Sequence, residues 1–532
     1  MTNNTSKFTS KRRIIIDFVY NNNYDFIIQF IHGALLTLAF HPFDIFLVIP
    51  IAFSGFLWCL ENQLLVSKTR REFFWKGFSN AFIFFFGHFI TSMYWVAAPL
   101  FIDIKQYWFL LPFALVVLPV FLSSFYGLIS GFICWNFINA KLKNPYQRIV
   151  TAFLFSIGFF VAELIRANFL IPFPWNLLGY ATNYSLSLMQ MAAYTGVYGL
   201  SLLLYFVGTI PYTKNPFAIS VVTAAVVLIT LSGNNRLKQS YSDEKTKNKF
   251  VTLYVVQPNL QHHYHQYEKK LAALSKTTSM VNDKSLSAQT PKDSKIKFII
   301  LPESAIPFTI NKYQNSLFDD LMSKYSINSF LVSGVDRYDN NLQRYYNSMI
   351  VINSDGDIID SYDKTILTPF GEYIPGYGLL RFFLKPIVSS SYGFVPGSST
   401  RNIRLYSEDP EVSAEPLIAI PMICFESIFT PLTHPRDNTN VDLIINITND
   451  SWLGNSIGPY QHFTMARMRA IEYGVPVVRA AKTGISAVIN SYGKVVEEIK
   501  LDGEGVIVAD MPEDKVNTFY MKVVHAIHGN KF

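Results

Sequence analysis

Cysteine is nearly absent: the 532 residues carry three, Cys59, Cys134 and Cys424. That excludes a disulfide-stapled fold and a multi-cysteine zinc site. Charge is scarce too, at 16 % of residues against 50 % hydrophobic and 16 % aromatic, too little for an ordinary soluble chain of this length. The net charge of +7 is scattered through short loops between apolar runs, where it orients membrane helices, so no nucleic-acid partner is expected. His262, His263 and His265 lack a partnering Cys/His cluster, and neither a metal nor a cofactor is expected. The opening MTNNTSKFTSKRRIIIDFVY has a short apolar run broken by Asp17 and no small-residue cleavage site, so it does not read as a removable signal peptide.

What is present divides unevenly. Long apolar runs extend to about Leu231, a polar stretch follows, and short alternating segments fill the rest. The sequence predicts a cytoplasmic segment (1–23), a transmembrane domain (24–233), a linker (234–249), a globular domain (250–512) and a tail (513–532). Seven runs are candidate spans: 24–40, 45–60, 78–98, 108–137, 149–170, 186–210 and 217–231. Basic residues fall in every second loop: Lys7, Lys11, Arg12 and Arg13, then Lys68, Arg70, Arg71 and Lys76, then Lys141, Lys143 and Arg148, then Lys214. That alternation places the N-terminus in the cytoplasm and the globular half outside it.

In the globular half, strand-like runs recur at 250–256, 297–303, 329–335, 347–352, 417–425, 442–448 and 484–491, with helical patterns at 314–325 and 458–473. Apolar strands alternating with helices predict α/β sheets covered by helices. NSDGDII (353–359) and NSYGKVV (490–496) read as hairpin turns, and 280–297 as a surface loop. Cys424 has no cysteine partner in this half; a lone thiol there is either a buried hydrophobe or a nucleophile.

Three polar residues close strand-like runs: Glu303 in FIILPESAIPF, Lys364 in YDKTILTPFGEYIP and Cys424 in IAIPMICFES. Each alone reads as an ordinary strand end. Together they suit one chemistry, because a thiol is a weak nucleophile until a base takes its proton and a cation favours its thiolate. No histidine occupies an equivalent strand end, and His462 on its predicted helix reads as structural.

The order Glu303, Lys364, Cys424 resembles the catalytic triad of the nitrilase superfamily. FPWNLLGY (173–180), LPESAIP (301–307), TPFGEYIP (368–375), ICFE (423–426), ITNDSWLGNSIGPYQHFTMARMRA (447–470) and TGISAV (483–488) look like segments of the apolipoprotein N-acyltransferase family, in its order. The resemblance implies an α-β-β-α nitrilase-like sandwich fused to a polytopic helical membrane domain. It implies an acyltransferase of the bacterial inner membrane, its catalytic domain in the periplasm, completing lipoprotein maturation. The implied donor is a membrane phospholipid, commonly phosphatidylethanolamine, and the acceptor is the α-amino group of a diacylglyceryl-modified cysteine. Cys424 would be the nucleophile that carries the acyl group as a thioester, Glu303 the general base and Lys364 the oxyanion stabiliser, with Glu372 and Glu426 in support.

Three departures from that family stand out. Phe425 follows the cysteine where the family often has Tyr. The segment 257–270 has no Trp, so Tyr264 or Tyr267 would fill that place. The family usually ends with an eighth span, and the tail through 517–532 offers no run long and apolar enough to be one. Trp175 and Tyr180 suit the membrane interface, either as an anchor or as the floor of a lipid entrance. Two rival readings are a membrane-anchored amidase or esterase, and a transporter or receptor, for which Glu163 and Arg166 in the fifth run are the main case.

Overall fold

In the computed structural model, residues 24–101, 104–137, 144–169, 171–243, 247–260, 267–287, 296–310, 315–323, 329–374, 393–405, 416–437, 441–512 and 515–529 are described. The chain divides into two units, Met1–Ser185 with Tyr198–Thr230, and Leu186–Val197 with Leu231–Phe532.

The first unit is helical because its runs are too apolar to leave backbone amides unpaired in lipid, and a helix pairs them internally. Among the described residues, five helices are long and apolar enough to cross a membrane: Val48–Leu65, Trp108–Asn136, Pro145–Asn168, Ala192–Thr213 and Pro216–Lys238, two of which run on into residues of the second unit. A sixth is made if Arg70–Ser92 and Tyr94–Phe101, which meet at 42°, form one broken span. Asp25–Ala39 is apolar but shorter. Each of the seven runs read from the sequence is thus mainly helical, and the count of full spans is five or six. Polar residues inside the unit pair with one another: Arg148 reaches Glu61 at 2.7 Å, and Asn80 exchanges hydrogen bonds with Gln63 and accepts one from Gln29. Phe217 and Leu228, by contrast, are exposed, as lipid-facing residues are.

The second unit carries two sheets. Their strands are β1 (Lys247–Gln257), β2 (Ile296–Ile300), β3 (Ile306–Ile310), β4 (Ser329–Asp339), β5 (Arg344–Ile352), β6 (Ile358–Asp363), β7 (Ile403–Leu405), β8 (Leu417–Ile423), β9 (Leu443–Thr448), β10 (Val477–Ala481), β11 (Ser486–Ile489), β12 (Val495–Ile499) and β13 (Gly505–Pro512). One sheet runs β13-β1-β2-β4-β5-β6, with β3 beside β4; the other runs β12-β11-β10-β9-β8-β7. Side chains alternate across each strand. Leu253, Phe298, Val332, Ile423, Ile445 and Val478 meet between the sheets. Tyr254, Ile299 and Leu331 face outward onto Leu274, Phe318 and Leu321 of the helices Tyr267–Ser287 and Asn315–Met322. On the other outer face, Met422, Ile444 and Ala487 pack on Phe463 and Ala470 of Gly458–Tyr473 and on Val524 of Phe519–His528. The layers are therefore α-β-β-α, as the sequence resemblance implied.

Both predicted hairpins are formed, closed by Gly356 and Gly493 with positive φ (84° and 76°), a conformation glycine adopts at no steric cost. Of the stretch expected as a loop at 280–297, residues 280–287 instead continue the helix Tyr267–Ser287, whose preceding turns cover the apolar face of β1, and 296–297 open β2; 288–295 lie outside the described residues. The polar stretch 234–249 carries the end of the helix Pro216–Asp243 and the start of β1.

Candidate active site

Glu303, Lys364 and Cys424 lie just past the ends of β2, β6 and β8, so strands of both sheets deliver them. Each is pinned by its main chain. The loop after β2 follows β4, with Gly334 N–H on the Pro302 carbonyl at 3.3 Å; a Cβ on Gly334 would stand 2.6 Å from Glu303 Cα, so only glycine admits this approach. Lys364 donates its N–H to the Asn347 carbonyl at 2.9 Å. The preceding Asp363 is gripped by Arg337 at 2.7 Å and by the Ser348 hydroxyl at 2.6 Å. Cys424 has φ 48°, a left-handed conformation that costs a non-glycine residue about 1–2 kcal/mol.

The side chains form one buried cluster. Lys364 Nζ stands 3.6 Å from Glu303 Oε1 and 2.9 Å from Glu372 Oε2, with the lysine 1 % exposed. Burial opposes its charge, but Glu372, Glu303 and Cys424 together carry its pKa above the usual lysine range. Asn347 donates its Nδ2 to both carboxylates, 2.7 Å from each, and Asn449 N–H donates to Glu303 Oε2 at 2.8 Å. Cys424 packs half-buried against the inter-sheet core. Burial and the Glu303 carboxylate push its thiol up, and Lys364 opposes them. The resting pair is thus a thiol beside a base, with an ammonium next to both.

Glu426 faces the opposite way from a free acid. Its carboxylate accepts from Ile423 N–H (2.9 Å), Thr365 N–H (2.9 Å), the Tyr362 hydroxyl (2.6 Å) and Arg436 (3.2 Å). Burial disfavours its charge, but Arg436 and these donors hold its pKa below the ordinary carboxylate value. It ties the turn after Lys364 to the turn that carries Cys424. Phe425 is buried and meets Phe429 edge-on at 5.4 Å.

Several residues went unnoticed in the sequence. Asn347 sits in β5 with no motif to mark it. Asp450 and Arg479 form a buried ion pair at 2.7 Å that also holds His462, 2.8 Å from Asp450. Lys482, 7 % exposed, follows β10 with its N–H on the Thr448 carbonyl; burial lowers its pKa, opposed by Glu303 and Asp336. The available signals were the family-like segments 447–470, which contains Asp450, and 483–488, which directly follows Lys482, and the density of polar residues in ITNDSW and RAAKTGIS, which an exposed loop explains equally well.

Trp175 and Tyr180 belong to the first unit, and both are buried. Trp175 packs on Trp95 with ring centroids 4.4 Å apart. Arg166 donates to the carbonyls of Phe173, Trp175 and Asn176 at 2.9–3.0 Å. Glu163 accepts from Leu178 N–H at 3.2 Å, from the Tyr205 hydroxyl at 2.7 Å and from Ser201. These two charges hold the FPWNLLGY loop. Tyr264 lies outside the described residues, and Tyr267 opens the helix Tyr267–Ser287.

Comparison with known proteins bears on these findings. The "Carbon-nitrogen hydrolase" family profile matches residues 255–519, and that of the "Apolipoprotein N-acyltransferase N-terminal domain" matches 32–210. The apolipoprotein N-acyltransferase of Rhodopseudomonas palustris is 32 % identical over 93 % of this chain and 91 % of its own. That of Brucella suis is 31 % identical over 91 % and 89 %. The structure of Saccharomyces cerevisiae Nit3, a member of branch 10 of the nitrilase superfamily, aligns over 54 % of this chain and 98 % of its own at 18 % identity, with a TM-score of 0.36.

Proposed function

The chain belongs to the apolipoprotein N-acyltransferase family, and we propose that it moves a fatty acyl chain from a phospholipid to the α-amino group of a diacylglyceryl-cysteine, through a thioester on Cys424. The observation that carries this reading is the single buried cluster of Glu303, Lys364 and Cys424 at strand ends of both sheets. Glu303 takes the thiol proton as Sγ attacks the donor's ester carbonyl. Lys364 faces the developing oxyanion, where a fixed cation in a water-poor site stabilises charge well. As the tetrahedral intermediate collapses, the ester C–O bond breaks, Glu303 gives its proton to the departing lysophospholipid alkoxide, and the thioester remains. The acceptor amine, in its neutral form, then attacks the thioester carbonyl. The C–S bond breaks, and Glu303 carries a proton from the amine nitrogen to the leaving thiolate. Glu372 and Asn347 keep Lys364 and Glu303 in place.

Both substrates are lipid-anchored, which gives the membrane helices a purpose that a small soluble amide would not. Phosphatidylethanolamine is the proposed donor. The alternation of basic loops supports an inner-membrane enzyme with a cytoplasmic N-terminus and a periplasmic active site. Glu163 and Arg166 hold the FPWNLLGY loop, which removes the main argument for a transporter.

Intact-mass analysis of the purified protein with phosphatidylethanolamine and no acceptor tests the reading. One fatty-acyl adduct on Cys424, absent in Cys424→Ala and cleared by a diacylglyceryl-cysteine peptide, is expected. Normal transfer by Cys424→Ala would overturn it.

A further inference from the structure

The turn that carries the nucleophile has an unusual backing. Cys424 holds a left-handed backbone, and something must keep its carbonyl from relaxing. Behind it stands His462, 1 % exposed on the helix Gly458–Tyr473. Its Nε2 is 3.2 Å from the Cys424 carbonyl oxygen and 3.0 Å from Ser427 Oγ. The Ser427 hydroxyl also reaches the Cys424 carbonyl at 3.0 Å. The other ring nitrogen, Nδ1, is 2.8 Å from Asp450 Oδ1, and Arg479 grips Asp450 Oδ2 at 2.7 Å. Arg479 in turn donates to the Ile485 carbonyl at 3.1 Å and to Asn446. Asp450 is held so closely that a Cβ on Gly484 would fall 2.0 Å from its Oδ2.

With Nδ1–H on the Asp450 carboxylate, the neutral ring's Nε2 accepts from the Ser427 hydroxyl, whose single proton then leaves the Cys424 carbonyl, whereas the protonated ring's Nε2–H donates to that carbonyl and frees the hydroxyl. Either way the imidazole is braced from Arg479 through Asp450 and ends on the turn of Cys424.

We propose that His462 is a positioning residue for the acyl transfer: seated on the Asp450–Arg479 pair, it fixes the turn of Cys424, through the Ser427 hydroxyl in its neutral form or the Cys424 carbonyl in its protonated form, and so the direction of Sγ toward the donor ester. This rests on Cys424 being the nucleophile, and the test separates the two claims. Two substitutions divide the ring's contacts. His462→Asn keeps a donor at the place of Nδ1, for Asp450, but loses the arm to the turn. His462→Gln keeps an amide at the place of Nε2.

Thioester formation on the full-length protein from phosphatidylethanolamine is measured by mass, with thermal unfolding alongside. His462→Asn is expected to lower the maximal rate about tenfold or more, the scale of a misaimed nucleophile, with the half-saturating donor concentration unchanged. His462→Gln is expected to restore most of that rate, although both lower the melting temperature. Wild-type rates in His462→Asn would overturn the proposal, and so would a Gln variant as slow as Asn with the loss tracking melting temperature. Should neither variant accumulate folded, Ser427→Ala removes the hydroxyl that joins ring and turn: a slower rate supports the proposal, and a wild-type rate ends it. Loss of the adduct in Cys424→Ala, measured in parallel, reports on the nucleophile alone.

Discussion

Replacing Lys364 with Met asks what the buried ammonium does, in stability and in chemistry. Its Nζ lies 2.9 Å from Glu372 and 3.6 Å from Glu303. At an effective dielectric of about 20, Coulomb's law gives roughly 6 and 5 kcal/mol for the two contacts. Desolvation offsets much of that, and removing one partner of a buried pair costs about 3–5 kcal/mol. The pair left behind is worse than neutral, since Glu303 and Glu372 both reach the single amide of Asn347 and lose the ammonium between them, with Lys482 still acting on Glu303. Because the folded state holds the Lys364 pKa above its ordinary value, its contribution is whole below about pH 10 and fades only as pH rises through the folded pKa. The loss in Lys364→Met should therefore be full-sized at neutral pH. A drop in melting temperature on the order of 10 °C is expected for a domain of this size. Thioester formation should fall at least about a hundredfold. The double variant Lys364→Met/Glu372→Gln removes one of the stranded carboxylates. It should be more stable than the sum of the single losses by about 1–3 kcal/mol, yet equally slow. A melting temperature within a degree or two of wild type in Lys364→Met, with strictly additive losses in the double variant, would refute the account.

Three further outcomes follow from the same geometry. Glu426→Gln should weaken the link between the Lys364 and Cys424 turns and lower the rate of thioester formation. The native carboxylate's depressed pKa makes its stabilisation complete above the unfolded glutamate value of 4.5 and lost as pH falls through the folded one, so melting temperatures of wild type and variant should converge in acid; a constant gap down to about pH 3 contradicts this. Phe425→Tyr should keep transfer activity, measured with peptide acceptor, because Phe425 packs on Phe429 beside the turn; a dead but folded variant would assign the ring a closer part in the chemistry. Trp175→Ala leaves a cavity beside Trp95 and should cost about 3–5 kcal/mol of stability; if its loop forms the floor of a lipid entrance, thioester formation from vesicle phospholipid slows more than from a soluble short-chain ester, and equal losses with both donors reduce Trp175 to a packing residue.

The sequence by itself determined the layers and the three strand-end residues. Apolar runs of membrane length admit no structure but helices, and the short, nearly continuous apolar runs of β1, β4, β8 and β9 are those of strands buried on both faces, between the other sheet and a helical layer. Gly458–Tyr473 was read to its exact ends because glycine and proline open it and Gly474 closes it. Strands β3, β7, β10 and β13 escaped notice, and β6 and β12 were read only through their hairpin turns: β3, β7 and β10 have three to five residues, too few to write a pattern, and β13 lies at a sheet edge, without two-sided burial. Span lengths were blurred for a related reason, since hydropathy records apolar residues but not the bend after Ser92. Only the tertiary structure decided how the acids and bases divide their work. Glu303, Glu372 and Glu426 are alike as letters, each in a short turn segment outside the strands. Folding places the first two on one ammonium and the third on Arg436, in a loop that carries no motif. Asn347, Asp450, His462 and Arg479 come from β5, the turn after β9, a helix and β10. No spacing in the chain relates them, because a buried polar network is set by where strand ends converge, and that convergence is a property of two packed sheets.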